Sequence, residues 1–203
     1  MEYYWILNQR VQEKLRGFHS ANLLLRSIDY HEIKSRYYDK WDEVALLLKK
    51  EIEAFIHLAP DCLVICNNTL HKPFDQIKSD LRLSIPVFHI VDAVGSFAQM
   101  QNLKHLLLLG TKFTMSDGFY QRRLEEQFGL VVQRYTIPIV QGILGPEFRT
   151  NFVKLIRNYS AVDTVVLACT ELPLAIHQSD VDVVILNSIE HQCKEVFEFA
   201  ISN

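Results

Sequence analysis

The sequence has 203 residues, of which 49% are hydrophobic and 22% are charged. This composition excludes a disordered chain and is typical of one large or two small globular domains. Twenty-one Lys and Arg against 24 Asp and Glu leave a formal charge of -3, which gives no bulk attraction for nucleic-acid phosphates or anionic lipids. The apolar runs are too short to span a bilayer, and the N-terminus lacks a secretory pattern. We therefore expect a cytoplasmic protein with neither nucleic-acid nor membrane partners.

The hydrophobic pattern predicts helices and strands in alternation. The chain opens with an amphipathic helix in which Tyr4, Leu7, Val11 and Leu15 recur at helical spacing, and Gly17 is its expected stop. The remaining predicted elements are, in chain order, a strand at Ala21 to Ile28, a helix spanning Val44 to Phe55, strands at Leu63 to Ile65 and Pro86 to Ile90, a helix at 91–101, a strand at His105 to Leu109, a helix near 117–128, a strand at Leu130 to Arg134, a helix around 147–159, strands at Thr164 to Ala168 and Val183 to Leu186, and a final helix.

Apolar strands that alternate with helices predict an α/β protein whose parallel sheets are covered on both faces. The order repeats, which predicts two similar doubly wound parallel-sheet domains related by a pseudo-twofold, with the site at their interface. The first domain is expected at 1–97, joined by the C-terminal helix 188–203, and the second at 98–187. The first half has no counterpart of the opening strand His105 to Leu109.

Two segments place a cysteine and small polar residues just beyond a buried strand: Cys66-Asn-Asn-Thr-Leu-His71 and Cys169-Thr-Glu-Leu-Pro173. Ligands of open α/β sheets bind at this edge. The turn that follows exposes peptide N–H groups, which suit a carboxylate or an oxyanion and lower a thiol's pKa. If the halves pack about a pseudo-twofold, both edges face one cleft. Two acid/base groups on opposite faces of a substrate carbon are what stereochemical inversion requires.

Packing in the core and metal binding are alternative interpretations of the cysteines. Free cysteine usually packs as a small hydrophobe, which is our interpretation of Cys62 and Cys193. Cys62, Cys66 and His71 suggest a zinc cluster, but a structural site normally needs four ligands and a catalytic site three. We therefore predict no metal, and we interpret His71 as orienting its loop.

Several of these motifs, in this order, resemble the cofactor-independent aspartate/glutamate racemases. The matching pieces are Gly17 to Ser20, Leu23 to Asp29, Cys66 to Lys72, Leu108 to Met115, Gly145 to Arg149 and Cys169 to Pro173. The resemblance implies two α/β domains, no cofactor or metal, and proton removal and return at Cα of a free amino acid. A homodimer is also expected, because the family commonly pairs.

Position by position, the resemblance implies Cys169 as the base of the second domain, with Thr170 and Glu171 completing its motif. Thr111 and Thr114 resemble ligands of the substrate carboxylate or amine. The usual first-domain pattern is Cys-Asn-Thr-x-His. Anchored on Asn68, Thr69 and His71, it puts Asn67 where the base belongs and Cys66 one residue too early, so both stay candidates. The family's Arg or Lys that holds a substrate side-chain carboxylate has no unambiguous match, and Lys72 is the best nearby cation for this role.

The chain departs from the family pattern in three places, of which the missing strand and Asn187, together with Asn67, motivate a second hypothesis. The opening strand and its glycine-rich loop have no match, Asn187 replaces an acidic residue, and the stretch between Pro138 and Phe148 is shorter.

The leading hypothesis is a racemase of aspartate, glutamate or a related amino acid. The alternative is an impaired member that binds an amino acid or a partner chain without turnover, and a third is a related enzyme such as a maleate-type isomerase or a decarboxylase.

Overall fold

The structure is a computed structural model that describes residues 1–115, 117–137 and 146–202. The chain divides into two compact units, of which unit 1 comprises Met1–His89 with Cys193–Asn203 and unit 2 comprises Ile90–Gln192. Residues 116, 138–145 and 203 lie outside the described residues. They include most of the stretch between Pro138 and Phe148 that differs from the family pattern, and with it Gly145. No helix in the described part of the chain is long and apolar enough to cross a membrane.

Helices and parallel strands alternate along the chain, and the predicted α/β class is confirmed. The helices are α1 (Glu2–Leu15), α2 (Tyr30–Lys34), α3 (Trp41–Ile56), α4 (His71–Leu81), α5 (Ile90–Met100), α6 (Lys112–Met115), α7 (Phe119–Phe128), α8 (Pro146–Arg157) and α9 (Ser188–Ser202). The strands are β1 (Leu63–Val64), β2 (Val87–Phe88), β3 (His105–Gly110), β4 (Val131–Thr136), β5 (Thr164–Ala168) and β6 (Val184–Asn187).

Unit 2 contains a parallel sheet in which the strands follow the order β4-β3-β5-β6. Successive side chains of a strand point to opposite faces, and β3 shows the result. Leu106 and Leu108 belong to one buried cluster, while Leu107 and Leu109 belong to another. Residues from α5 and α7 complete the first cluster, and residues from α8 complete the second. Both faces of the sheet are therefore covered, so polar side chains concentrate at the strand ends.

Unit 1 contains a two-stranded parallel sheet in which Leu63 pairs with Val87 and Val64 pairs with Phe88. The stripe predicted between Val44 and Phe55 is the buried face of α3, which packs on α4. The predicted helix stop is also confirmed, because α1 ends at Leu15 and Gly17 adopts a left-handed φ of +62°.

The predicted strand at Ala21 to Ile28 is wrong. This segment is neither helix nor strand, and most of its residues are exposed, including Leu24 and Leu25. A strand exists only where a neighbour completes its hydrogen-bond ladder. In unit 2, β4 has such a neighbour in β3, whereas no described strand pairs with residues 21–28. Apolar, extended-prone residues were therefore not sufficient to form a strand.

Gly95 allows α5 and α7 to approach closely. A Cβ at this position would lie 2.4 Å from Cδ2 of Phe128. Although alanine is favoured over glycine in a helix by about 1 kcal/mol, we expect Gly95→Ala to lower the free energy of unfolding by about 1–3 kcal/mol through overpacking. Urea denaturation measures this change. In a Phe128→Ala background the same substitution should cost much less, and an equal cost there would contradict the packing explanation.

Candidate active site

Cys169 directly follows β5, whose five residues are all buried. The side chain is itself 5% exposed. The residue before it, Ala168, pairs with Gly110 at the end of β3. Cys169 and Thr111 are therefore the first residues beyond two adjacent strands, and the sheet brings these two predicted site residues to the same edge.

The Cys169 thiol interacts with the motif that follows it. Its Sγ donates to Oε2 of Glu171 at 2.8 Å, and Oγ1 of Thr170 donates to the same oxygen at 2.9 Å. The peptide N–H groups of Glu171 and Leu172 also face the sulfur and favour its thiolate. Burial and the Glu171 carboxylate outweigh them and raise the pKa of the Cys169 thiol to about 12. At neutral pH, Cys169 is therefore a thiol beside a proton acceptor.

Thr111 and Thr114 form a second polar group at this edge. Their hydroxyl oxygens lie 3.2 Å apart, and Thr114 is 1% exposed. A Cβ at Gly110, the residue before them, would lie 2.6 Å from Cε of Met115 and 3.3 Å from the carbonyl oxygen of Ala168, so glycine leaves room for both neighbours. The two predicted ligands are thus held together beside the end of β5.

The end of β6 adds two polar residues. Oδ1 of Asn187 accepts a hydrogen bond from the Ile189 N–H at 3.1 Å, so this neutral residue caps the start of α9. Oγ of the buried Ser188 donates to the carbonyl oxygen of Leu167 at 2.8 Å. Ser188 was not among the predicted site residues, and only its place after a strand could have indicated it.

In unit 1, Cys66 and Asn67 lie in the loop after β1 and differ in environment. Residue Cys66 is exposed, although its sulfur is shielded enough from water to raise the pKa of the thiol to about 11. Asn67 is half-buried, and its Oδ1 accepts a hydrogen bond from the Leu70 N–H at 3.0 Å. The amide of Asn67 therefore stabilises the turn that leads into α4.

Asn68 and Thr69 are buried in the same loop, at 4% and 6% exposure. Among the described residues, neither Oδ1 nor Nδ2 of Asn68 has a hydrogen-bond partner. Burying an unpaired amide costs free energy unless a ligand or water completes its bonds. Asn68 is therefore a candidate for contact with a bound polar molecule.

His71 is fully buried at the start of α4 and holds the same loop. Its Nε2, which must carry the proton, donates to the carbonyl oxygen of Ile65 at 3.2 Å. The ring of His89 lies 4.3 Å from the His71 ring, and its Nε2 is 3.5 Å from Oδ2 of Asp75. His89 and Asp75 were missed in the sequence, where only the position of His89 after a strand could have pointed to it.

The Lys72 ammonium lies over the ring of Trp41, 3.7 Å from its centroid. A cation in this position is stabilised by the negative face of the ring. Lys72 is thus held by a residue of its own unit.

The remaining cysteines, Cys62 and Cys193, lie outside the two strand-end motifs in the sequence. Cys193 is buried in α9, as expected for packing, whereas Cys62 is half-exposed. Within residues 1–115, 117–137 and 146–202, no group of three or more His, Cys, Asp and Glu side chains could hold a metal ion.

The family profile described as Asp/Glu/Hydantoin racemase matches residues 1–196. The chain belongs to this family. The resemblance found in the motifs is thereby confirmed.

Similar proteins include the glutamate racemase of Campylobacter jejuni, which is 26% identical over 174 residues, covering 79% of this chain and 68% of that one. The glutamate racemase of Oceanobacillus iheyensis is 27% identical over 145 residues, and the match covers 66% of this chain but only half of that enzyme. Among solved structures, an aspartate racemase homologue from Pyrococcus horikoshii superposes with a TM-score of 0.84 at 28% identity, covering 98% of this chain and 93% of that one. A candidate Asp/Glu racemase from Yersinia pestis gives 0.86 at 29% identity, with the same coverages.

The contact between Cys169 and Glu171 predicts the direction of a pKa change. The Glu171 carboxylate accepts the thiol proton and repels a thiolate, so we expect Glu171→Gln to lower the pKa of Cys169. The measurement is thiolate absorbance against pH in a Cys66→Ala background, which removes the other strand-end thiol. Glu147→Gln, at another exposed glutamate of unit 2, is the control and should leave the titration unchanged. An unaltered curve for Glu171→Gln would contradict the contact.

Proposed function

We propose that this chain removes and returns the α-proton of aspartate, glutamate or a related amino acid, with Cys169 as one base. Membership of the racemase family supports this class of reaction. The observation that carries the proposal is the Cys169 thiol at the end of β5, which donates a hydrogen bond to Glu171 and lies close to two peptide N–H groups. Such a thiol can become a thiolate without moving.

Removal of the proton from Cα requires Cys169 as the thiolate, and Glu171 offers a route by which the thiol proton can leave. The S–H···O contact of 2.8 Å lets the carboxylate accept the thiol proton, and Glu171 is exposed, so that proton can pass to solvent. The peptide N–H groups then hold the thiolate. The thiolate takes the proton from Cα, and the electron pair moves into the substrate carboxylate.

Hydrogen-bonding groups for the substrate are available at both strand ends. We propose Thr111, Thr114 and Thr170 as ligands in unit 2, and Asn68, Thr69, His71 and Lys72 as groups that bind the substrate or shape its site in unit 1. Hydroxyl and amide donors suit a carboxylate that gains negative charge during proton removal. The proposed step uses no cofactor and no metal.

Inversion at Cα needs a second group that gives a proton to the opposite face. Cys66 and Asn67 are the candidates in unit 1.

We also propose that the protein is cytoplasmic and forms a homodimer. The exposed apolar residues Trp5 and Leu25 of unit 1 support the homodimer.

A second candidate function is binding of an amino acid without turnover. Two observations favour it: the raised pKa of Cys169, about 12, and the amide at Asn67. Thermal stabilisation by aspartate or glutamate without proton exchange would support binding alone.

The proposal predicts the effect of removing the thiol. We expect Cys169→Ala to slow the incorporation of deuterium at Cα of aspartate or glutamate by about 10²–10⁴-fold, the usual contribution of a positioned base. Proton NMR in deuterated water measures the loss of the α-proton signal. Cys62→Ala, which removes a half-exposed thiol away from either strand-end motif, should exchange at the normal rate. Normal exchange by Cys169→Ala would exclude the proposed base.

A further inference from the structure

We propose that Asn67, and not Cys66, holds in unit 1 the place that Cys169 holds in unit 2, so that proton transfer at Cα occurs on one face only. This inference rests on the proposed function for its chemistry. The assignment of the position rests on the backbone around each strand end, which can be compared within each unit.

The first shared feature lies three residues after the position in question. In unit 1, the Leu70 N–H donates to the side chain of Asn67 at 3.0 Å. In unit 2, the Leu172 N–H donates to the carbonyl oxygen of Cys169 at 3.2 Å and lies close enough to the sulfur to lower the pKa of the thiol. In each unit, the side chain in question thus lies beside the peptide N–H of the third residue after it.

The second shared feature lies two residues before the same position. The carbonyl oxygen of Ile65 accepts from the buried His71 ring at 3.2 Å. The carbonyl oxygen of Leu167 accepts from the buried Ser188 hydroxyl at 2.8 Å. When Asn67 is matched with Cys169, the N–H lies three residues after and the carbonyl two residues before the matched position in both units. When Cys66 is matched instead, both spacings differ by one residue.

Cys66 then corresponds to Ala168, the residue before the thiol in unit 2. Neighbouring residues of an extended chain direct their side chains to opposite sides. In agreement, the sulfur of Cys66 makes a weak contact of 3.9 Å with the carbonyl oxygen of Val64, whereas the side chain of Asn67 accepts the Leu70 N–H within the loop. The sulfur of Cys66 therefore lies outside the arrangement that holds Cys169.

The chemical consequence follows from the amide. A carboxamide does not accept a proton near neutral pH, but its NH₂ group donates hydrogen bonds. Asn67 and the buried Asn68 can therefore donate to a substrate carboxylate, but neither amide can act as the second base. Cys169 takes the α-proton, the electron pair moves into the carboxylate, and the S–H returns a proton to the same face. In deuterated water this cycle exchanges the α-proton with retention of configuration.

The experiment compares the native chain with Asn67→Cys, with Cys66→Ala and with the double variant, using L- and D-aspartate and L- and D-glutamate. For the native chain we expect deuterium to enter one enantiomer at least about tenfold faster than the other. Asn67→Cys should raise inversion about tenfold or more, because it adds a thiol held by the Leu70 N–H. Cys62→Ala, which removes a thiol outside both strand-end motifs, is the control and should leave exchange unchanged. Equal native exchange of both enantiomers, or loss of exchange at one of them in Cys66→Ala, would overturn the proposal.

A titration separates this assignment from the proposed function. The double variant carries a thiol at position 67 and none at 66, and the Leu70 N–H should hold that thiolate at a pKa below that of Cys66 in the native chain. If neither the native chain nor any of the variants exchanges the α-proton but the thiol at position 67 has this lower pKa, the proposed function fails and the assignment of Asn67 stands. A thiol at 67 that titrates at or above the native Cys66 overturns the assignment. If Asn67→Cys does not fold, Asn67→Asp takes its place. This variant keeps the side-chain shape and the oxygen that accepts the Leu70 N–H, and its carboxylate tests position 67 as a base through the rate of α-proton exchange.

Discussion

A thiol at the end of a fully buried strand experiences two opposing influences. The residues of β5 exclude water from the sheet, and this favours the neutral form of Cys169. The turn that follows directs two peptide N–H groups at the sulfur and favours the thiolate. Glu171 adds the group through which the proton can leave. The rest of unit 2 serves this strand end, because α5, α7 and α8 cover the sheet and leave its carboxyl edge for polar side chains.

The two strand ends share a backbone arrangement and carry different chemistry. In each, a buried polar side chain donates a hydrogen bond to the carbonyl oxygen two residues before the key residue. The donor is His71 in unit 1 and Ser188 in unit 2. The key residue is a thiol in one and an amide in the other. A family scaffold can thus keep the hydrogen bonds that shape a loop while the group that moves a proton is replaced.

Much of the fold could be predicted from hydrophobic periodicity. The run Leu106–Leu109 identified a buried strand because its residues all lie between covered faces. The same reasoning failed for Ala21 to Ile28, where no described strand is available to pair. Strand propensity describes one segment, whereas a sheet depends on two. His89 and Ser188 were missed for a similar reason, since their partners, His71 and Leu167, are distant in sequence.

The motif Cys-Thr-Glu after an apolar run was enough to single out Cys169, because a strand, its end and a polar turn are all local features. Residue types alone did not settle the choice between Cys66 and Asn67. Adjacent residues of an extended chain point in opposite directions, and the direction depends on which N–H and which carbonyl the loop engages. The hydrogen bonds of Leu70 and His71 support Asn67, and the path of the loop into α4, which only the tertiary structure shows, creates both of them.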